Sequence, residues 1–244
     1  APQAAQSFAV SKNNQTITFS STAPVGAVVA GPTYTVTATA SSGLTVSFSI
    51  DASATSVCSI AGSTVSFIGA GTCVIDANQA GDANYNAAPQ VAQSFPVGKG
   101  TQTISFSSSA PVGATVGGPT YTVTATATSG LPVTLSIDAS AASVCSIAGS
   151  TVSFIGAGNC VIDANQAGNA NYNAAPQAQQ SFAVGKGSQT ITFTSTAPAN
   201  AVVAGSTYTV TATASSGLPV TFTIDAAASS VCSKICPTMK TDGT

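Results

Sequence analysis

Cysteine is the residue in this chain that is best placed to do chemistry. Cys58 and Cys73 stand 15 residues apart, and Cys145 and Cys160 repeat that spacing. The chain has no histidine, so a thiol nucleophile would lack its usual base, and two thiols fall short of the four ligands of a structural zinc ion. Each pair is therefore predicted to form a disulfide worth roughly 3 kcal/mol, with two buried free thiols as the alternative.

Cys232 begins a third occurrence of the pattern, but its expected partner is missing from the sequence. Cys236 follows after three residues. We expect a local bridge between Cys232 and Cys236, with a link to another chain or a free thiol as alternatives.

Carboxylates also recur, once per motif. Asp51, Asp138 and Asp225 each lie in an Ile-Asp-Ala run, and Asp76 and Asp163 lie in Val-Ile-Asp-Ala-Asn. A glycosidase needs two facing carboxylates, and calcium needs several oxygen ligands from a short loop. Isolated aspartates on separate strands fit neither, so they are expected to be solvated or to cap turns.

Lysines and tyrosines repeat with the same rhythm. Lys12, Lys99 and Lys186 are flanked by small or polar residues and are expected to be exposed rather than to form covalent cross-links. Tyr85 and Tyr172 are expected to pack a loop with the hydroxyl group in water. The alternative is that they stack on a sugar, although each lacks an aromatic neighbour.

Composition narrows the classes of partner. Charged residues make up 5% of the chain and the net charge is −2, whereas nucleic-acid binding needs clustered basic side chains. No apolar run has the length of a membrane helix. With 44% hydrophobic residues the chain is expected to fold. No cofactor, nucleic acid or membrane insertion is predicted.

The elements that position these residues belong to a repeat. The sequence SVCSIAGSTVSFIGAG occupies residues 56–71 and recurs unchanged at residues 143–158, an offset of 87 (143 − 56). Units that begin at Gln-Thr-Ile then divide the chain into an orphan last strand and linker, two complete modules, and a partial third module with an atypical tail: residues 1–14, 15–101, 102–188 and 189–244.

Residues 33–40 show the secondary structure of the repeat. Thr alternates with Tyr34, Val36, Ala38 and Ala40, a period of two that is typical of a half-buried strand. Similar short runs are separated by turns, and no segment has a helical period. Each repeat is therefore predicted to be an antiparallel β-sandwich.

Two motifs resemble a known family. The run VCSIAGSTVSFIGAGTCVIDAN at residues 57–78 is similar to bacterial immunoglobulin-like domains of large secreted and surface proteins. The run NANYNAAPQ at residues 169–177 resembles repeats of long adhesin-like proteins. The resemblance implies all-β, tandem immunoglobulin-like sandwiches in an elongated array, located outside the cell or on the bacterial surface. Their roles include stalks, spacers, adhesive tips and filament subunits.

The ends of the sequence suggest how copies could associate. Residues 1–10 match the last strand of a module, with Ala5, Phe8 and Val10 as the donor residues, and residues 189–244 lack several strands. We expect a non-enzymatic structural or adhesive protein whose copies join head to tail by strand complementation. The alternatives are a spacer or stalk fragment of a larger adhesin, and a carbohydrate-binding module. A host or surface ligand is left unassigned.

Overall fold

The protein is all-β in the residues that the computed structural model describes, 3–233. In that range the short strands alternate with turns, and the helical elements are three single 3₁₀ turns, at Ala52–Ala54, Ala139–Ala141 and Ala226–Ala228. The first repeat contains nine strands: β1 (Ile17–Phe19), β2 (Ala27–Val28), β3 (Tyr34–Thr35), β4 (Ala38–Ala40), β5 (Ser47–Ile50), β6 (Cys58–Ala61), β7 (Thr64–Phe67), β8 (Gly71–Asn78) and β9 (Val91–Gly98).

The second repeat has the same nine strands, and the described part of the third has two. The strands of the second repeat are β10 (Ile104–Phe106), β11 (Ala114–Thr115), β12 (Tyr121–Thr122), β13 (Ala125–Ala127), β14 (Thr134–Ile137), β15 (Cys145–Ala148), β16 (Thr151–Phe154), β17 (Gly158–Asn165) and β18 (Ala178–Gly185). Within residues 189–233 the strands are β19 (Ile191–Phe193) and β20 (Ala212–Ala214).

Each complete repeat is a sandwich of two layers. In the first repeat one sheet has the order β2-β9-β8-β5, a second has the order β3-β7-β6, and β1 and β4 form a separate pair. The pairing of β2 with β9 is parallel, with Ala27 opposite Val97. The sheets are thus mostly antiparallel, with one parallel edge that the sequence pattern did not reveal.

The alternation in residues 33–40 places its side chains as predicted. Val36 and Ala40 are buried, while Thr35, Thr37 and Thr39 face solvent. The segment is divided into β3 and β4, because β3 pairs with β7 and β4 pairs with β1.

The core of each repeat is aliphatic with a small aromatic cluster. Val36, Val65 and Ile75 are fully buried. Phe95 meets both Tyr34 and Phe67 edge to face, with ring centroids 5.7 and 5.9 Å apart, the arrangement that aromatic quadrupoles favour.

Both predicted disulfides are present, and each joins the two layers. Cys58 on β6 is bonded to Cys73 on β8, with Cα atoms 5.7 Å apart, and Cys145 is bonded to Cys160 with the same separation. Cys232 is exposed and forms no disulfide with another described residue, and its bridge to Cys236 stays a prediction. Cys236 lies outside the described residues.

Candidate functional site

The most elaborate polar arrangement in the described residues lies where the first two repeats meet. It is built on the tyrosine loop of the second repeat, residues 169–173. The corresponding tyrosine loop of the first repeat is residues 82–86. Gln102 is buried and forms hydrogen bonds next to the loop of the second repeat. Its Nε2 atom donates to Oε1 of Gln166, which precedes the loop, and to the carbonyl oxygen of Asn173, 2.7 Å away at the end of the loop.

Asn169 shapes the tip of the loop. Its Oδ1 atom accepts hydrogen bonds from the backbone N–H groups of Asn171 at 2.8 Å and Tyr172 at 2.9 Å. Asn and Asp side chains commonly fold such turns by satisfying backbone donors two or three residues ahead. Tyr172 is thereby held at the tip of a turn with a defined backbone conformation.

The loop binds the linker between the repeats through its backbone. The Gly100 N–H donates to Asn171 O, and the Asn173 N–H donates to Gly100 O, each at 2.9 Å. The Lys99 side chain is exposed, as expected, and its Nζ donates to Asn169 O at 2.7 Å. Linker and loop therefore form a short parallel bridge.

The loop also reaches the preceding repeat. The Ala70 N–H donates to Asn171 Oδ1 at 3.0 Å, and Tyr172 packs against the core cluster of the first repeat, which includes Val29. A Cβ atom added to Gly100 would lie 2.6 Å from Val29 O and 3.0 Å from Tyr172 Cε1, so glycine allows this close approach.

We call this set of contacts the clasp. The expectation that Tyr172 packs a loop of its own repeat is incomplete, because the ring also contacts the neighbouring repeat. The buried glutamines Gln15 and Gln102 and the side chain of Asn171 were missed at the sequence level. Their recurrence at the repeat interval, Gln15 with Gln102 and Asn84 with Asn171, was the available signal.

The first repeat carries a second tyrosine loop in the same conformation. The Asn13 N–H donates to Asn84 O, and the Asn86 N–H donates to Asn13 O, each at 2.8 Å. Asn13 takes the position that Gly100 has in the other linker. Tyr85 therefore has the same linker contact as Tyr172.

A second candidate site is the open half-sandwich at residues 189–233. Ile191 is 60% exposed, whereas its counterpart Ile17 is 6% exposed. The other large apolar side chains that are exposed in this segment are Phe193, Val202, Val203, Tyr208, Leu218, Ile224 and Val231. Exposed apolar surface of this kind marks an interaction site or an aggregation hazard.

Residues 3–10 present the complementary feature. Within the described residues they pair with no strand. Phe8 and Val10 are each 84% exposed, whereas their counterparts on β9, Phe95 and Val97, are buried. Ala5, the third predicted donor residue, is also exposed.

The turn at residues 202–205 of the third repeat resembles the corresponding turn at residues 28–31 of the first repeat. Ala204 has a φ of 59°, and its counterpart Ala30 has a φ of 57°. The Gly205 N–H donates to Val202 O at 3.0 Å, as Gly31 does to Val28 at 2.9 Å. The turn at residues 202–205 therefore has the same backbone conformation as the turn at residues 28–31 of the first repeat.

The aspartates divide into two groups. Asp51, Asp138 and Asp225 cap the three 3₁₀ turns, as expected. Asp76 and Asp163 are buried, so the expectation that they are solvated or cap turns is wrong. Burial raises the pKa of Asp76, the charge of Asp51 adds to the increase, and a hydrogen bond from Gln90 opposes it. Asp163 accepts a hydrogen bond from Gln179 Nε2 at 2.8 Å.

Two further observations concern residues 3–233. No three His, Cys, Asp or Glu side chains in this part of the chain lie close enough together to hold a metal ion. No helix within it has the length and apolar character to span a bilayer.

Comparison with known proteins gives structural similarity without a sequence family. No protein-family model matches the chain, and no curated protein matches its sequence. Domains 1–6 of the surface layer protein SbsC align with 73% of the chain at 16% identity and a TM-score of 0.29, and the chain spans 29% of that structure. The EC1–2 fragment of human protocadherin-24 aligns with 68% of the chain at 13% identity and a TM-score of 0.27, with 91% of that structure covered. Drosophila N-cadherin EC1–4 aligns with 72% of the chain at 12% identity and a TM-score of 0.26, with 51% of that structure covered.

Proposed function

We propose that this protein is a non-enzymatic, extracellular structural subunit that assembles head to tail by strand complementation. Two inter-layer disulfides support an oxidising environment outside the cytoplasm. The observation that carries the assembly step is the match between two exposed surfaces. Phe8 and Val10 are exposed to solvent. The residues at the equivalent positions of the first repeat, Phe95 and Val97, are buried in its core.

The register of the added strand follows from the complete repeats. In the first repeat β2 pairs in parallel with β9, Ala27 with Val97 and Val28 with Gly98. The residues of the third repeat that correspond to Ala27 and Val28 are Ala201 and Val202, and the donor residues that correspond to Val97 and Gly98 are Val10 and Ser11. Ala201 of one copy would therefore face Val10 of the next, and Val202 would face Ser11.

Complementation places the aromatic ring in a specific cluster. With this register Phe8 enters the position of Phe95, whose ring contacts Tyr34 and Phe67 in the first repeat. The counterpart of Tyr34 in the half-sandwich is Tyr208, which is exposed. Burying an exposed Phe and Val contributes roughly 1.5–3 kcal/mol per side chain, and the paired backbone supplies affinity in strand addition.

Directionality follows from the chemistry of the contact. The donor strand and the half-sandwich are different surfaces, so the contact is heterologous. A heterologous contact that does not close on itself produces an open filament. Clasped neighbouring repeats would suit such a filament, because the clasp limits the movement of one repeat against the next.

Electron microscopy and sedimentation of the purified chain test the proposal. We expect filaments from the wild type and none from the double variant Phe8→Ser/Val10→Ser. Val25→Ser is the matched control, because Val25 is a fully exposed valine on a turn outside the donor strand. The double variant keeps its half-sandwich, so adding it at low stoichiometry to the wild type should shorten filaments. Monomeric wild type, or unchanged filaments from the double variant, would overturn the proposal.

A further inference from the structure

We propose that the first tyrosine loop is a docking surface for a second copy of this chain, with Tyr85 packing on the turn at Val203 and Ala204 of the copy that receives the donor strand. The inference rests on the proposed strand complementation and adds a second contact to it. Its basis is the clasp between the first and second repeats, where a loop of the same sequence pattern makes the corresponding contact.

The two loops share their linker geometry. Tyr172 is bridged in parallel to Gly100, and Tyr85 is bridged in parallel to Asn13. The linker residue follows the last strand of the preceding repeat, β9 in one case and residues 3–10 in the other. A tyrosine loop that is bonded to the linker therefore lies at the end of the sandwich that contains this last strand.

In the two complete repeats, the burial of one valine position differs with the presence of a tyrosine loop. Val29 is 5% exposed at the end that Tyr172 covers. Val116, its counterpart in the second repeat, is half-buried, and Val203 is 96% exposed. The corresponding Val203 lies in the incomplete third repeat, so its exposure also reflects the missing strands. Gly100 in the clasped linker is buried, whereas Gly187 in the next linker is exposed. No tyrosine loop contacts Val116 or Val203 in the described residues.

Strand donation would bring Tyr85 to this exposed valine. With Val10 opposite Ala201, Asn13 of the donor occupies the place of Gly100 and lies next to Val203. Tyr85 then stands over Val203 as Tyr172 stands over the cluster that contains Val29. The receiving turn already has the required conformation, because Ala204 and Ala30 share their positive φ.

One residue of the donor fits this position poorly. A Cβ atom at Gly100 would lie 2.6 Å from Val29 O, and one at Gly187 would lie 2.5 Å from Val116 O. Asn13 carries such a Cβ, so the carbonyl of Val203 must move to admit it. The docking surface is therefore expected to be weakened by Asn13 and improved by glycine at that position.

The test measures the critical concentration for filament formation by sedimentation. We expect Tyr85→Ala to raise it about 10-fold, Tyr85→Phe to leave it near the wild-type value, and Asn13→Gly to lower it several-fold. Circular dichroism and denaturant unfolding of the monomers check that each variant folds. The Asn13→Gly result stays informative even if Tyr85→Ala destabilises the first repeat.

The outcomes separate this inference from the proposed function. If Phe8→Ser/Val10→Ser abolishes filaments while Tyr85→Ala and Asn13→Gly leave the critical concentration unchanged, strand complementation stands and the docking surface is rejected. If the wild type forms no filaments, both are rejected. A higher critical concentration for folded Tyr85→Ala together with a lower one for Asn13→Gly supports the docking surface.

Discussion

At the scale of single residues, Asp51 shows how one carboxylate organises a turn. Its Oδ1 atom accepts hydrogen bonds from the hydroxyl group of Ser53 at 2.5 Å and from the Ser53 N–H at 2.8 Å. These bonds favour the ionised form and lower the pKa of Asp51, the side-chain bond having the larger effect. Ser140 lowers the pKa of Asp138 in the same way.

Removing the hydroxyl group should therefore raise the pKa of Asp51. We expect Ser53→Ala to move this pKa towards its ordinary value because the largest cause of the shift is lost. NMR titration of the side-chain carboxyl carbon measures the change. The unchanged Asp138 in the same molecule is the internal control, and an unmoved Asp51 would show that the hydroxyl bond is unimportant in solution.

The sign of the effect on stability follows from the lowered pKa. A carboxylate whose pKa is lower in the folded state stabilises the fold above its unfolded pKa of about 3.9, and this contribution is lost as the pH falls through the folded pKa. Ser53→Ala should therefore reduce stability near neutral pH more than at strongly acidic pH. Asp51 is partly exposed, so the effect is expected to be small.

Single residues also show what the sequence could and could not predict. The disulfides were predictable because two identical spacings recur in a chain without histidine. The burial of Asp76 was not, because a carboxylate is tolerated at a buried position only when another residue, here Gln90, supplies a hydrogen bond. That partner depends on how β8 and β9 pair, which local composition does not encode.

At the scale of elements, the clasp depends on a linker that can approach two backbones at once. Alternating apolar residues predicted the strands, since alternation reports burial directly. The clasp itself joins residues 70, 100 and 171, whose contacts arise only after both sandwiches have formed. Only the recurrence of Asn-Tyr-Asn marked the loop in advance.

Gly100 provides the sharpest test of this element. We expect Gly100→Ala to destabilise the clasp by about 1–3 kcal/mol, because the new Cβ would lie 2.6 Å from Val29 O. Gly98→Ala is the matched control, because the nearest atom to its Cβ would be a Val28 methyl carbon at an ordinary 3.6 Å. Both glycines lie at the end of the same strand and linker.

Denaturant unfolding and interdomain NMR contacts between Tyr172 and the first repeat measure the outcome. Gly100→Ala should weaken those contacts and lower the unfolding midpoint, while Gly98→Ala should leave them in place. Equal behaviour of the two variants would mean that the close approach at Gly100 does not hold the repeats together.

At the scale of the whole molecule, the repeat pattern predicted a succession of sandwiches, and the resemblance predicted an immunoglobulin-like arrangement. The pattern did not predict the parallel edge between β2 and β9. Period-two alternation is the same for parallel and antiparallel strands, so direction must come from topology. In the proposed assembly, that parallel edge is the one at which the half-sandwich would receive a strand.

Hydrogen exchange across that edge tests the assembled state. In the second repeat the Val116 N–H donates to Gly185 O at 3.0 Å, so its exchange should be slow in monomer and filament alike. The counterpart Val203 is exposed in the single chain, and its amide should exchange fast in the monomer. In the filament the backbone carbonyl oxygen of Ser11 of the next copy would accept a hydrogen bond from the Val203 N–H. Exchange of the Val203 amide should then slow by at least about 100-fold, because a bonded amide exchanges only when the structure opens locally. Fast exchange at Val203 in filaments, with Val116 protected, would place the contact between copies somewhere other than this edge.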